Sequence, residues 1–183
     1  MIFVITGPSG VGKSFLVEYL RTEHPDKFTV VKVVTTRPPR ANEQAQDRLH
    51  VGDLEFNKLI ATDKFLIHGK YGGNNYGWLA QDFNKNKMML TNVWPGILED
   101  FVAVCDAIPI YLQAESDFLR IRMAARGDST EKIAQRIKIA EADDVLMENL
   151  PRLIRLHGKL FKIDSDQVIP EIVHPWVMNK IGK

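Results

Sequence analysis

Two rhythms of apolar residues run along the chain. Ile2-Phe3-Val4-Ile5 is an unbroken, β-branched-rich run that stops at Thr6-Gly7, the pattern of a strand covered on both faces in a parallel sheet. Across residues 14–21 the period changes: Phe15, Leu16, Tyr19 and Leu20 fall at helical spacing. His24-Pro25-Asp26 ends that helix, and residues 28–34 read as the next strand. Residues 51–63 predict a helix with Asp53 as N-cap and Leu54, Phe56, Leu59 and Ile60 on one face. A brief strand over 65–67 leads into the glycine-rich segment 69–77, a loop or hairpin. Apolar runs at 88–93 and 107–112 predict two more core strands, and helices follow over 116–125 and 129–149, parted by Arg126-Gly127-Asp128. Residues 160–163 read as a last strand and 170–181 as a helix interrupted at Pro175. Strands alternating with helices predict an α/β fold with a mostly parallel, doubly wound sheet. Without a repeat, a low-complexity tract or a marked linker, we expect one domain spanning 1–183.

Composition narrows the function classes. With 183 residues, 45% hydrophobic and 26% charged, the chain buries an ordinary core. The 24 Lys and Arg nearly balance the 23 Asp and Glu, so no global field favours nucleic acid or a membrane surface, and any anion affinity is local. Lys85 and Lys87, flanked by Asn84 and Asn86, form no basic stripe with stacking aromatics, and no nucleic-acid partner is expected. No stretch approaches the roughly 20 apolar residues of a membrane span. No basic segment followed by a long apolar run opens the chain, which gives a cytoplasmic expectation. The single Cys105 excludes an internal disulfide or a multi-Cys zinc site and reads as a small buried hydrophobe. His24, His50, His68, His157 and His174 lack metal-ligand spacing and read as structural or solvated. A basic amphipathic stretch over 153–160, with Arg152, Arg155 and Lys159, reads as a solvated helix face.

The strongest chemical signal follows the first strand. Gly7-Pro8-Ser9-Gly10-Val11-Gly12-Lys13-Ser14 satisfies G-x-x-x-x-G-K-[ST] in full, between an apolar strand and an amphipathic helix. Such a loop turns successive backbone N–H groups onto phosphate oxygens and adds the positive end of a helix dipole. Lys13 then reaches the β- and γ-phosphates, and the Ser14 hydroxyl is placed to ligate Mg²⁺. Gly7, Ser9, Gly10, Val11, Gly12, Lys13, Ser14 and Phe15 are accordingly the expected ATP-binding residues. Downstream, Thr35-Thr36-Arg37-Pro38-Pro39-Arg40 presents two guanidinium forks on an extended segment, suited to a second phosphate.

In this order and spacing the chain resembles the guanylate kinase family. The marks are the P-loop, Thr35-Thr36-Arg37-x-Pro39-Arg40 with Glu43 beyond, a short strand within 47–51, Phe65-Leu66, Asn75-Tyr76-Gly77, and Arg122, Arg126-Gly127 and Arg136. The likeness covers most of the chain and becomes vague after residue 149. It implies a three-layer P-loop NTPase core with an acceptor-binding region inserted at about 34–80 and a helical lid at about 122–145. It also implies an ATP- and Mg²⁺-dependent phosphotransferase, a monomer or homodimer, acting on a small phosphorylated acceptor with GMP as the nominal one. By matched position, Arg37, Arg40 and Tyr76 hold the acceptor's phosphate. Lys13, Arg37, Arg126 and Arg136 are the implied catalytic groups, the last two clamping the transferring phosphoryl group.

The departures lie on the base-reading side. The family's guanine-reading Ser, Glu and Asp align with Val33, Ile67 and Val93, and a dry guanine donor costs about 1–3 kcal/mol. Arg48 stands where a second phosphate-contacting tyrosine is implied, either an anion ligand or a surface strand residue. Residues 88–92 lack the acidic residue that supports Mg²⁺ through water. Three alternatives follow. The chain also resembles ribose 1,5-bisphosphate phosphokinases, which lack the guanine-reading carboxylates. A different nucleotide read by Asn74, Asn75, His68 or Trp94 is the second, and a non-catalytic guanylate-kinase-like interaction module the third.

Overall fold

The computed structural model describes residues 1–39, 48–83, 88–148 and 158–182, with the backbone alone for 145–148. Five strands form a wholly parallel central sheet in the order β2 (Phe28–Val30), β7 (Met88–Asn92), β1 (Ile2–Thr6), β8 (Ala107–Gln113), β9 (Lys159–Lys162). Four more form a mixed sheet in the order β4 (Arg48–His50), β3 (Val33–Thr35), β6 (Asn74–Leu79), β5 (Phe65–Tyr71).

Strand alternation divides the core. Phe3 and Ile5 face α1 (Lys13–Glu23), through Leu16, Val17 and Leu20, and the last helix, α6 (His174–Ile181), through Val177. Ile2 and Val4 face the other way, onto α3 (Leu98–Val104) and the second sheet, through Leu98, Phe101 and Trp78. Helices and the second sheet therefore sandwich a fully covered parallel sheet, the three-layer α/β arrangement its apolar strands predict. Among the described residues, α4 (Ser116–Ala125) and α5 (Thr130–Glu148) stand between β8 and β9.

The expected run over 28–34 is two strands, not one. Val31 N–H bonds Leu90 O at 2.9 Å, after which the chain leaves the central sheet and Val33 begins the second. A single Lys32 between two β-branched pairs is the only mark of that change of sheet in the sequence. The helix α2 (Asp53–Ala61) is capped by Gly52 without a side-chain bond, so Asp53 is its first residue rather than its cap. Of its proposed apolar face only Phe56 is buried, while Leu54 is 90% exposed. A short helix against a narrow sheet edge covers one row of side chains, not a full stripe. The hairpin β5–β6 extends to Tyr71 and turns at Gly72-Gly73. Near the C-terminus the break precedes Pro175: one π-helical turn over Ile169–Val173 runs into α6, with proline in the first turn, where its missing N–H is harmless. Cys105 is half-buried at the end of α3, and burial raises its thiol pKa. Residues 153–157 of the basic stretch lie outside the described residues.

Candidate active site

The loop after β1 leaves the sheet at its carboxyl edge, beside the end of β7, where Ile5 pairs with Asn92. Ligands gather at that edge in parallel α/β sheets. Gly7 has φ 136°, and a Cβ there would lie 2.1 Å from the Leu112 carbonyl oxygen, so no side chain fits. Gly12, at φ 112°, begins α1 without a side-chain cap, leaving the helix's first N–H groups directed into the loop. The Lys13 ammonium curls over its own loop and donates to the carbonyls of Gly7 at 2.6 Å and Pro8 at 2.7 Å. Val11 is fully buried in the core, so its part in phosphate binding falls to its backbone.

One cavity of about 420 Å³ joins this loop to the second sheet. Its donor end is lined by Gly7, Ser9, Gly10, Gly12, Lys13, Ser14, Phe15, Arg122 and Arg126. Its far end is lined by Arg37, Arg48, Tyr71, Tyr76, Trp78, Asn92, Val93 and Trp94. The second sheet fixes the Arg37 segment. Thr35 Oγ1 donates to Asn75 O at 2.8 Å and accepts from Arg37 N–H at 3.1 Å, and His50 Nδ1 bonds Arg37 O at 2.7 Å. Arg48, on β4, lies in the cavity wall beside Arg37. Arg40 and Glu43 lie outside the described residues.

Arg136 does not line the cavity but is held to Arg126, which does. The Asp128 carboxylate accepts from Arg126 Nε at 3.1 Å, from Arg126 Nη2, and from Arg136 Nη1 at 2.5 Å. Arg122 donates to Asp166 at 2.6 Å and sits over the Phe118 ring. Among the described lining residues there is no carboxylate. Ser14 and Asn92 supply neutral oxygens, and Asn92 Oδ1 is buried with no hydrogen-bond partner among the described residues. That donor set fits a hydrated Mg²⁺ brought in by a phosphate chain, since Mg²⁺ keeps several waters and takes few protein ligands.

The positions aligned with the family's base readers are apolar, and of the three only Val93 lines the cavity. Val33, Ile67 and Val93 are buried in one apolar cluster with Trp78 and Phe101. Over them Trp94 packs between Tyr71 (5.4 Å, 18° between planes), Tyr76 (5.5 Å) and Trp78 (5.9 Å). Trp78 donates its indole N–H to Thr91 Oγ1 at 2.7 Å. Asn74 and Asn75 direct their amides to Gly72 O at 3.0 Å and Asp53 Oδ1 at 3.4 Å. His68 packs on Phe65. Of the four residues considered as readers of another base, only Trp94 reaches the cavity.

Sequence reasoning missed Tyr71, Asp128 and Asp143, and considered Asn92 only as a substitute base reader. Asp143 follows Arg136 by two helical turns, on the same face, which is the signal that was there to find. It is 9% exposed, accepts the Tyr71 hydroxyl at 2.9 Å, and burial raises its pKa, partly offset by Tyr71 and Lys13. The next residue, Asp144, accepts the hydroxyl of Tyr111. His24 and His174, read as scattered, meet Nε2 to Nε2 at 2.8 Å. Among the described residues no helix is long and apolar enough to cross a membrane, and no group of three or more His, Cys, Asp or Glu is placed to hold a metal.

The family model described as guanylate kinase matches residues 1–148. The guanylate kinase of Schizosaccharomyces pombe is 35% identical over 148 residues, covering 76% of this chain and 73% of that protein. The guanylate kinase of Synechococcus sp. (strain JA-3-3Ab) is 37% identical over 142 residues, covering 74% and 65%. The crystal structure of guanylate kinase from Anaplasma phagocytophilum superposes with a TM-score of 0.70 over 98% of this chain and 85% of that one, at 19% identity, which carries the fold.

Proposed function

The chain belongs to the guanylate kinase family and is an enzyme of nucleoside monophosphate kinase type, and from that premise we propose that it transfers the γ-phosphoryl group of ATP to the phosphate of a nucleoside monophosphate, GMP being the nominal acceptor. The observation that carries this reading is the single cavity with a complete P-loop at one end and Arg37, Arg48 and Tyr76 at the other. Two phosphate-binding ends in one cleft suit transfer between two phosphorylated molecules, where positioning and charge neutralisation do most of the work.

In this mechanism Lys13 leaves the Gly7 and Pro8 carbonyls for the phosphate oxygens, and the N-terminus of α1 adds its dipole. Arg37, Arg48 and Tyr76, with Arg40, hold the acceptor's phosphate so that one of its oxygens attacks the γ-phosphorus. The bond from that phosphorus to the β–γ bridging oxygen breaks, and ADP leaves. Arg126 and Arg136, gathered by Asp128, neutralise charge on the transferring group, and closure of the segment carrying them excludes competing water. Ser14 and Asn92 would hold Mg²⁺, which would supply charge neutralisation on the phosphate chain. We propose a cytoplasmic reaction by a single-domain monomer or homodimer.

The aliphatic side chains of Val33, Ile67 and Val93 offer a guanine edge no hydrogen-bond partner, which favours recognition by phosphate. The relatives named here lend no support to a bisphosphate acceptor or to an interaction module without catalysis. A coupled ADP-release assay with ATP and Mg²⁺ against GMP, dGMP, the other nucleoside monophosphates and ribose 1,5-bisphosphate tests the proposal. Turnover of one or more monophosphates is expected. Turnover of the bisphosphate alone, or of nothing while ATP binds, would overturn it.

A further inference from the structure

One buried charge has no part in the mechanism above. Asp143 is the sole acidic or basic residue in the buried class among the described residues, and burying a carboxylate is costly unless it has partners. Its hydrogen-bond donor is the Tyr71 hydroxyl, at 2.9 Å, and the charge of Lys13 acts on it. The bond spans 72 positions in sequence and ties the C-terminal half of α5 to the end of β5. Tyr71 lines the acceptor end of the cavity and stacks on Trp94 at 5.4 Å. It is also the last residue before the Gly72-Gly73 turn, where both glycines have positive φ. A ring at a hairpin tip is held in place only by what it touches. Here the carboxylate is its polar anchor and Trp94 its apolar one.

We propose that Asp143 is a positioning residue for the acceptor: by accepting the Tyr71 hydroxyl proton, it fixes the Tyr71–Trp94 stack as a rigid wall of the acceptor end. The wall then meets the non-phosphate part of the acceptor while Arg37 and Arg48 hold its phosphate. Asp143 lies on the helix that carries Arg136 and within the field of Lys13, so the same anchor joins the acceptor wall to the phosphate-transfer groups. The proposal rests on the phosphotransferase reading.

The test compares Tyr71→Phe, Asp143→Ala, their double variant and Asp143→Asn in steady-state kinetics with ATP and GMP. Loss of the bond raises the acceptor KM about tenfold in either single variant, the scale of one hydrogen bond, with the KM for ATP and kcat little changed. The double variant is no worse than Asp143→Ala, because both changes remove one interaction. Asp143→Asn, whose amide oxygen still accepts, recovers most of the loss. A merely structural role would lower the active fraction, and so kcat, without moving the acceptor KM. Multiplying defects in the double variant, or an unchanged acceptor KM in Tyr71→Phe, would overturn the proposal. Absence of wild-type turnover would count against the phosphotransferase reading instead. Acrylamide quenching of tryptophan emission in the ligand-free protein then decides for Asp143: it rises in Asp143→Ala and returns in Asp143→Asn if the wall is anchored, and equal quenching in all variants contradicts the anchor.

Discussion

Restoring a carboxylate to the base-reading side measures how firmly that side is closed. Ile67 is 6% exposed, packed in the cluster of Val33, Val93 and Trp78, and its outer edge borders a groove lined by Asp63 and Asp100. In Ile67→Glu with Val33→Ser, the new carboxyl enters an apolar site that offers no cation and two like charges nearby. An uncompensated buried charge costs about 3–5 kcal/mol. For a chain of this size each kcal/mol lowers Tm by about 2–4 °C, so calorimetry should find the double variant melting roughly 6–20 °C below wild type. Guanine donors that reach the carboxylate relieve part of that cost. A hydrogen bond to a charged group contributes about 1.5–3 kcal/mol, so GMP should bind about 10- to 100-fold more tightly than to wild type. Titration calorimetry at a temperature where both proteins are folded reads that gain. A variant that melts with wild type would mean position 67 is not buried as described. A folded variant with unchanged GMP affinity would mean the acceptor does not approach Ile67.

Two other consequences are open to measurement. Asp128→Asn keeps the size of the side chain but removes the charge that gathers Arg126 and Arg136, so kcat should fall about tenfold while the KM for ATP does not rise; equal kcat in initial-rate assays would show that the arginines find their places without it. The His24–His174 bond requires an unprotonated acceptor nitrogen, and burial, then the neighbouring His24, lowers the His174 pKa below its ordinary 6.5. A depressed histidine gives stability that is full above the unfolded-state pKa and is lost as pH falls through the lower folded-state value. The melting temperature should therefore drop between about pH 7.5 and about pH 5.5, and the drop should shrink in His174→Gln; an identical drop in the variant would place the acid-sensitive group elsewhere.

The residues that carried most information in the sequence were those whose role is local. A P-loop is a contiguous backbone shape, so Gly7, Gly12 and Lys13 announce it by spacing alone. The parallel strands announce themselves by runs with no polar face. Legibility failed where a role depends on distant partners. The change of sheet at Val31–Lys32 is marked only by Lys32, which one polar position in a strand carries equally well, and the β-branched residues on either side suit either sheet. Leu54 keeps helical spacing although no described residue covers it. Tyr71 with Asp143, and His24 with His174, become pairs only when the sheet brings their elements together. Arg126 and Arg136 were legible as cations ten positions apart, whereas the carboxylate joining them looked like part of a turn.

The central claim is transfer of a phosphoryl group through the P-loop to a second phosphate, and following the label from [γ-³²P]ATP with GMP present tests it most directly. The account predicts label in a nucleoside diphosphate with wild-type protein, and at least about a hundredfold less with Lys13→Ala, whose melting temperature falls by only a few degrees for the two lost bonds to Gly7 and Pro8. Label released only as inorganic phosphate, or transfer undiminished in Lys13→Ala, would contradict it.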